Sequence, residues 1–160
     1  MINNKIIVIF IALLIPGCGF KAVNQDYLNQ YKIIELNIKG DARLSYLLKN
    51  KLKWNNEKSD KSIKLNVIIN KAKNIREKNI KNEITKYQIS ITAKTDYYLI
   101  EENKSGNFLL SVTGDHNVGS RYRETLNNEK KLINSLMADI SEQLFSCLLY
   151  TSDAADEEDS

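Results

Sequence analysis

The chain has 160 residues, 42% of them apolar and 27% charged, with a formal net charge of +3, one histidine, one proline and two cysteines. That length and apolar content suit one domain built around one core. One histidine and two distant cysteines exclude a Cys/His zinc cluster, and any Ser–His–Asp triad would have only His116 to draw on.

Met1 to Lys5 carry a single positive charge, ten apolar residues follow from Ile6 to Ile15, and Pro16-Gly17-Cys18 closes the run. A short basic start, an apolar stretch and a small residue before the cut make up a secretory signal peptide. The stretch is too short to span a bilayer, which takes about 20 apolar residues. A cysteine directly after Gly17 resembles a bacterial lipobox, in which the thiol is acylated and becomes the first residue of the mature protein. Cys18 is therefore the expected lipid attachment site, the alternative being a plain signal peptide with an incidental cysteine. One acyl chain holds a protein to a membrane only marginally, whereas two or more hold it stably. Gly19, where Asp would stand in a retained lipoprotein, points to the inner leaflet of the outer membrane.

Residues 18–31 read as the anchor and a polar tether, and the folded domain is expected over 32–146. Ile34, Leu36 and Ile38 alternate with Glu35 and Asn37, the period of a half-buried strand ended by Gly40. Asp41 can cap a helix with Leu44, Leu47, Leu48 and Leu52 on one stripe, running to about Trp54. A second strand places Ile63, Leu65, Val67 and Ile69 on one face, and Lys71 and Lys73 continue it, so the face turns from apolar to basic. Residues 76–83 read as the turn into a third strand, where Tyr87, Ile89, Ile91, Ala93, Tyr97 and Leu99 share a face. A further turn is expected with Gly106 as its pivot, then a fourth strand over 108–114 and a loop over 115–120. The last element is an amphipathic helix from about Arg121, with Leu126, Ile133, Leu136, Met137, Ile140 and Leu144 facing Glu129, Lys130, Lys131 and Asp139 across it.

The order is β-α-β-β-β-α. It predicts an α+β two-layer sandwich, a four-stranded, mostly antiparallel sheet with two helices on one face and Lys, Ser and Thr on the other. From Cys147 the text changes character. "CLLYTSDAADE" reads in one frame as a translation of transposase-adaptor DNA, so residues 147–160 are set aside as a non-native tail, the alternative being an acidic tail of the protein itself. Between Cys18 and Ser146, 22 basic residues face 15 acidic ones, a net charge of +7 that favours an anionic partner. In the envelope that means lipopolysaccharide, phospholipid head groups or an acidic protein surface rather than nucleic acid.

Site chemistry for catalysis is missing. His116 reads as a solvated loop residue, the adjacent Glu101 and Glu102 cannot face each other across a cleft, and Gly114 and Gly119 lack a phosphate-loop context. Neither an enzyme nor a cofactor is expected.

Three segments resemble the lipopolysaccharide-assembly lipoprotein family LptE: "GCGFKAV" at 17–23, the β-α-β-β-β-α order, and residues 115–145. In the last, Asn117, Val118, Tyr122, Thr125, Leu126, Ala138, Asp139, Ile140 and Gln143 match, while Arg123 and Glu124 depart from the small residues usual there. The resemblance implies a protein that plugs the lumen of an LptD-type β-barrel, helps it assemble, and binds lipopolysaccharide in transit to the cell surface. Lys71, Lys73, Arg76, Lys78 and Lys81 are the basic residues expected to meet lipid phosphates, the alternative being a solvated turn in a lysine-rich protein. At about 0–1 kcal/mol for each exposed ion pair, several would have to act together. A structural envelope lipoprotein that does not contact lipopolysaccharide is the second reading.

Overall fold

The computed structural model describes residues 31–52, 59 and 61–156, with side chains described as far as residue 148. The signal segment, Cys18, the tether up to residue 30, the expected helix end at Trp54 and residues 157–160 lie outside the described residues. Six elements follow in order: β1 (Tyr31–Gly40), α1 (Ala42–Leu52), β2 (Lys61–Lys78), β3 (Ile84–Leu99), β4 (Lys104–Asn117) and α2 (Tyr122–Asp156). The strands lie in one sheet in the order β1-β2-β3-β4, with β1 parallel to β2 and the other pairs antiparallel. A parallel pair needs a crossover connection, and α1 supplies it. The expected α+β sandwich is the observed one.

Alternation builds the core. Ile63, Leu65, Val67 and Ile69 of β2, Ile89, Ile91, Ala93, Tyr97 and Leu99 of β3, and Leu110 and Val112 of β4 are buried on one face. Leu44, Leu48 and Leu52 of α1 cover them together with Ile133, Leu136, Met137, Ile140 and Leu144 of α2. The other sheet face exposes Asn66, Asn70, Lys94, Asp96, Ser111 and Thr113. Truncating Ile91, which is fully buried mid-sheet, should cost about 2–5 kcal/mol as Ile91→Ala. Urea unfolding followed by circular dichroism measures that loss.

Four local expectations need correction. In β1 the pairing with β2 shifts between Ile33 and Glu35. This irregularity moves the phase, so Ile33 packs on the core beside Leu36 and Ile38 while Ile34 is exposed. Gly106 is no pivot: the chain turns over residues 100–103 with Asn103 at φ 51°, and Gly106 lies inside β4 opposite Tyr97. Its lack of a Cβ makes room for the Tyr97 ring, which a side chain there would strike. The turn after β2 is shorter than 76–83, because β2 continues to Lys78 and Asn79 then closes a tight loop. The Asn79 Oδ1 accepts from the backbone N–H groups of Lys81 at 2.9 Å and Glu83 at 3.0 Å. Finally, Leu126 is exposed and Glu129 half-buried, the reverse of their expected faces. The stripe that seats α2 begins only at Leu132 and Ile133, so the first turns extend beyond the core.

Asp41 caps α1 as expected, its Oδ1 accepting from the Leu44 N–H at 3.0 Å. Helix α2 runs without a break through position 147 to Asp156. Leu148 is buried and extends the stripe of Leu144. Cys147 packs half-buried against the core, and burial pushes its thiol pKa up.

Candidate functional site

Strand β2 outruns its parallel neighbour. The β1 pairing ends at Gly40 opposite Ile69, whereas β2 continues to Lys78 paired with β3 alone. On the helix side of this extension the apolar row gives way to Lys71 and Lys73, as the sequence indicated. Tyr87 of β3 and His116 of β4 are register partners on the same face.

The first turns of α2 close over this basic row. Glu129 lies between the two lysines, accepting from Lys73 Nζ at 2.6 Å with Lys71 Nζ at 3.7 Å. Lys73 Nζ also stands 4.2 Å from the centroid of the Tyr87 ring, a cation–π contact that fixes its direction. Tyr87 in turn stacks on His116 with centroids 5.7 Å apart. His116 is therefore no solvated loop residue. It belongs to β4 and is buried, with Nδ1 3.4 Å from the Asn117 carbonyl oxygen and Nε2 enclosed without a hydrogen-bond partner. Its position is set by the strand running past the expected end at residue 114 to Asn117.

Burial of the Glu129 carboxyl pushes its pKa up, but the Lys73 hydrogen bond and the charges of Lys73 and Lys71 outweigh that and hold it below the ordinary carboxylate value. A carboxyl pKa lower in the folded than in the unfolded chain gives stability that is present above the unfolded value of about 4.3 and lost as pH falls through the folded one. The stability difference between wild type and Glu129→Gln should thus hold steady above about pH 5 and shrink in more acidic solution. Urea titrations at a series of pH values check this.

The five basic candidates do not form one cluster. Lys71 and Lys73 share Glu129 on the helix side. Arg76 turns to the opposite face, where its Nε lies 3.7 Å from Asp115, whose other oxygen accepts from Gln88 at 3.3 Å. Lys78 donates to the Asn82 side chain at 3.0 Å, and Lys81 stands exposed in the turn. Only Lys78 and Lys81 are without a carboxylate partner among the described residues of this set.

Sequence reasoning missed the apolar side chains at the same end. Ile75, Ile80, Val118, Tyr122 and Leu126 are all exposed, Ile80 completely. The Val118 N–H donates to the Thr85 carbonyl at 2.9 Å, tying the start of α2 to the hairpin. Local bonds hold that entry: Thr125 Oγ1 accepts from the Gly119 N–H at 2.9 Å, and the Glu124 carboxylate accepts from the Arg121 N–H at 3.4 Å and from Ser120 Oγ at 2.9 Å. Isolated exposed apolar residues are ordinary; here several share one end of the domain with Lys78 and Lys81, which have no carboxylate partner among the described residues. A signal for them was available in the spacing, since Tyr122 and Leu126 are four apart and precede the stripe that seats the helix.

No family model matches the sequence, and no curated protein matches it. Solved structures do match. The crystal structure of rare lipoprotein B from Shewanella oneidensis is similar with a TM-score of 0.58 at 10% identity, covering 76% of this chain and 98% of that one. The solution structure of the uncharacterized lipoprotein B from Nitrosomonas europaea gives a TM-score of 0.52 at 13% identity, covering 81% of this chain and 92% of that one. The chain shares their fold. Among the described residues no helix is long and apolar enough to cross a membrane.

Proposed function

We propose that this chain is an outer-membrane lipoprotein of the LptE type. Anchored through Cys18 on the periplasmic side, it plugs and helps assemble an LptD-type β-barrel and engages lipopolysaccharide passing to the cell surface. The observation that carries the reading is the end of the β2–β3 hairpin, where Lys78 and Lys81 flank exposed Ile80 and the α2 entry adds Tyr122 and Leu126. Phosphate and acyl chains of one amphiphile would meet both kinds of side chain. The fold shared with two proteins named as lipoproteins, and the lipobox-like "PGC" that ends in Cys18, support the same reading.

The chemistry is non-covalent. Lysines pair with phosphate as mobile point charges, and the apolar side chains shelter acyl segments from water. Replacing the two lysines that lack a carboxylate partner, as Lys78→Glu with Lys81→Glu, should weaken binding to lipopolysaccharide aggregates about tenfold, equivalent to about 1.4 kcal/mol. Fluorescence titration against intact and dephosphorylated lipid A reads the effect. Equal binding of both lipids by the wild type would remove the phosphate reading. One observation favours a second reading: Lys71 and Lys73 already share Glu129 within the fold, and Arg76 already faces Asp115. A structural envelope lipoprotein would need no more than that, and it would bind neither lipid.

A further inference from the structure

We propose that, in the chain outside the barrel, β4 is an association edge, on which β4 of a second copy of this chain adds antiparallel to make one continuous eight-stranded sheet that must part before one copy serves as a plug. Edge strands expose a row of backbone N–H and C=O groups that can template another strand, and proteins blunt them with lysines, prolines and bulges. The other open edges of this sheet carry such devices. β1 has its irregularity at Ile33/Glu35 with Lys32, Glu35 and Lys39, and the β2 extension has Lys71, Lys73, Arg76 and Lys78 with two register shifts beyond Ile75.

Strand β4 has no bulge and no proline, and its one lysine is its first residue, Lys104. Its 14 residues pair with β3 without a single shift. Its charged residues are confined to the ends, Lys104 and Asp115, and Leu109 near its middle is 68% exposed. Among the described residues no backbone group outside β3 bonds to it; Asn128 donates to its Asn117 carbonyl, and Arg76 approaches its Asp115 side chain.

The strand is also complementary to itself. A two-fold axis at Leu109 sets Leu109 against its mate, Asn107 against Ser111 and Ser105 against Thr113 on the polar face. On the helix face the same register sets Phe108 against Leu110, Gly106 against Val112 and Lys104 against Gly114. No like charges stand opposite one another, which would weaken a pair of strands. The exposed Leu109 and half-buried Phe108 gain apolar neighbours, and the isologous arrangement closes at two copies.

Sedimentation of the full-length chain carrying Cys18→Ser and Cys147→Ser, at rising concentration, tests the dimer. A monomer–dimer equilibrium is expected, and Leu109→Lys should raise its dissociation constant at least tenfold by opposing two ammonium groups at the axis. Leu109 is exposed, so the variant should keep the wild-type circular dichroism. In the same background Leu109→Cys should cross-link under mild oxidation, because directly opposed antiparallel residues lie within disulfide reach. Thr113→Cys should not, its mate being about 27 Å away along the strand at about 3.4 Å per residue. A monomer at every concentration, a dimer indifferent to Leu109→Lys, or equal cross-linking at both positions would each overturn the proposal. So would protection of the β4 amides only after outer-membrane extract is added, which would assign the edge to a strand of another protein.

Discussion

Glu129→Gln is expected to raise the affinity of the full-length chain for lipopolysaccharide aggregates about fivefold, equivalent to about 1 kcal/mol. Glu129 holds Lys73 at 2.6 Å and Lys71 at 3.7 Å, so an incoming phosphate must compete with a carboxylate already seated between them. The amide keeps the shape and an acceptor for one lysine but removes the negative charge. Both ammonium groups then face outward with one more net positive charge at the hairpin. The variant should fold, since the lysine side chains are about a third exposed and can turn to water, with a stability loss of about 1 kcal/mol. The gain should also shrink with salt, because the screening length falls from about 10 Å at 0.1 M to about 3 Å at 1 M. Titration of labelled lipopolysaccharide at both ionic strengths measures it. Unchanged affinity would mean that Lys71 and Lys73 serve only to seat α2.

Gly40→Ala should cost about 3 kcal/mol or more and lower the melting temperature by about 10 °C. Gly40 has φ 111°, a region open almost only to glycine, where another residue costs about 1–3 kcal/mol. A Cβ at this position would also run into the Ile69 carbonyl, with the carbonyl carbon only 2.9 Å away. That carbonyl is in use: it accepts from the Asp41 N–H at 2.9 Å as β1 hands over to α1. The same few atoms end the parallel pairing, start the crossover helix and release β2 to continue as the basic hairpin. Asp41→Ala, which removes only the cap, should cost about 1 kcal/mol. Thermal unfolding of the two variants side by side separates the handover from the cap.

The layers and the element order were legible in the sequence because alternation and helical stripes report burial directly. Ile63 to Ile69 and Ile89 to Leu99 carry a period of two that only Ile68, Thr95 and Tyr98 interrupt, and both faces follow from it. Where the period breaks, the text misleads. In β1 the irregularity at Ile33/Glu35 has no glycine or proline to mark it, so Ile34 was placed inward. Asn103 and Asn82 take the positive φ angles that Gly106 was expected to supply in one turn and that no glycine supplies in the other, because asparagine tolerates that conformation.

The site was half legible. Lys71 and Lys73 stood out as a basic continuation of an apolar face, and the structure places them together. Their pairing with Glu129 could not be read, because it depends on where α2 crosses the sheet, 56 residues further along the chain. His116 was misplaced for a related reason: polar loop-forming neighbours hide a residue whose burial comes from Tyr87 and the helix above it. Leu126 fits the helical period equally well as a core residue or as part of an exposed apolar entry. Only the point at which α2 leaves the sheet decides between them.

The central claim is that this chain serves a lipopolysaccharide-transport barrel. Its most direct test is to purify the full-length protein from detergent-solubilised outer membranes and identify its partners by mass spectrometry, with acylation of Cys18 checked on the same sample. Recovery of a large β-barrel at one copy per chain, with lipopolysaccharide in the complex, is the predicted result. An acylated protein that brings down no barrel would contradict it and leave the structural envelope lipoprotein as the reading.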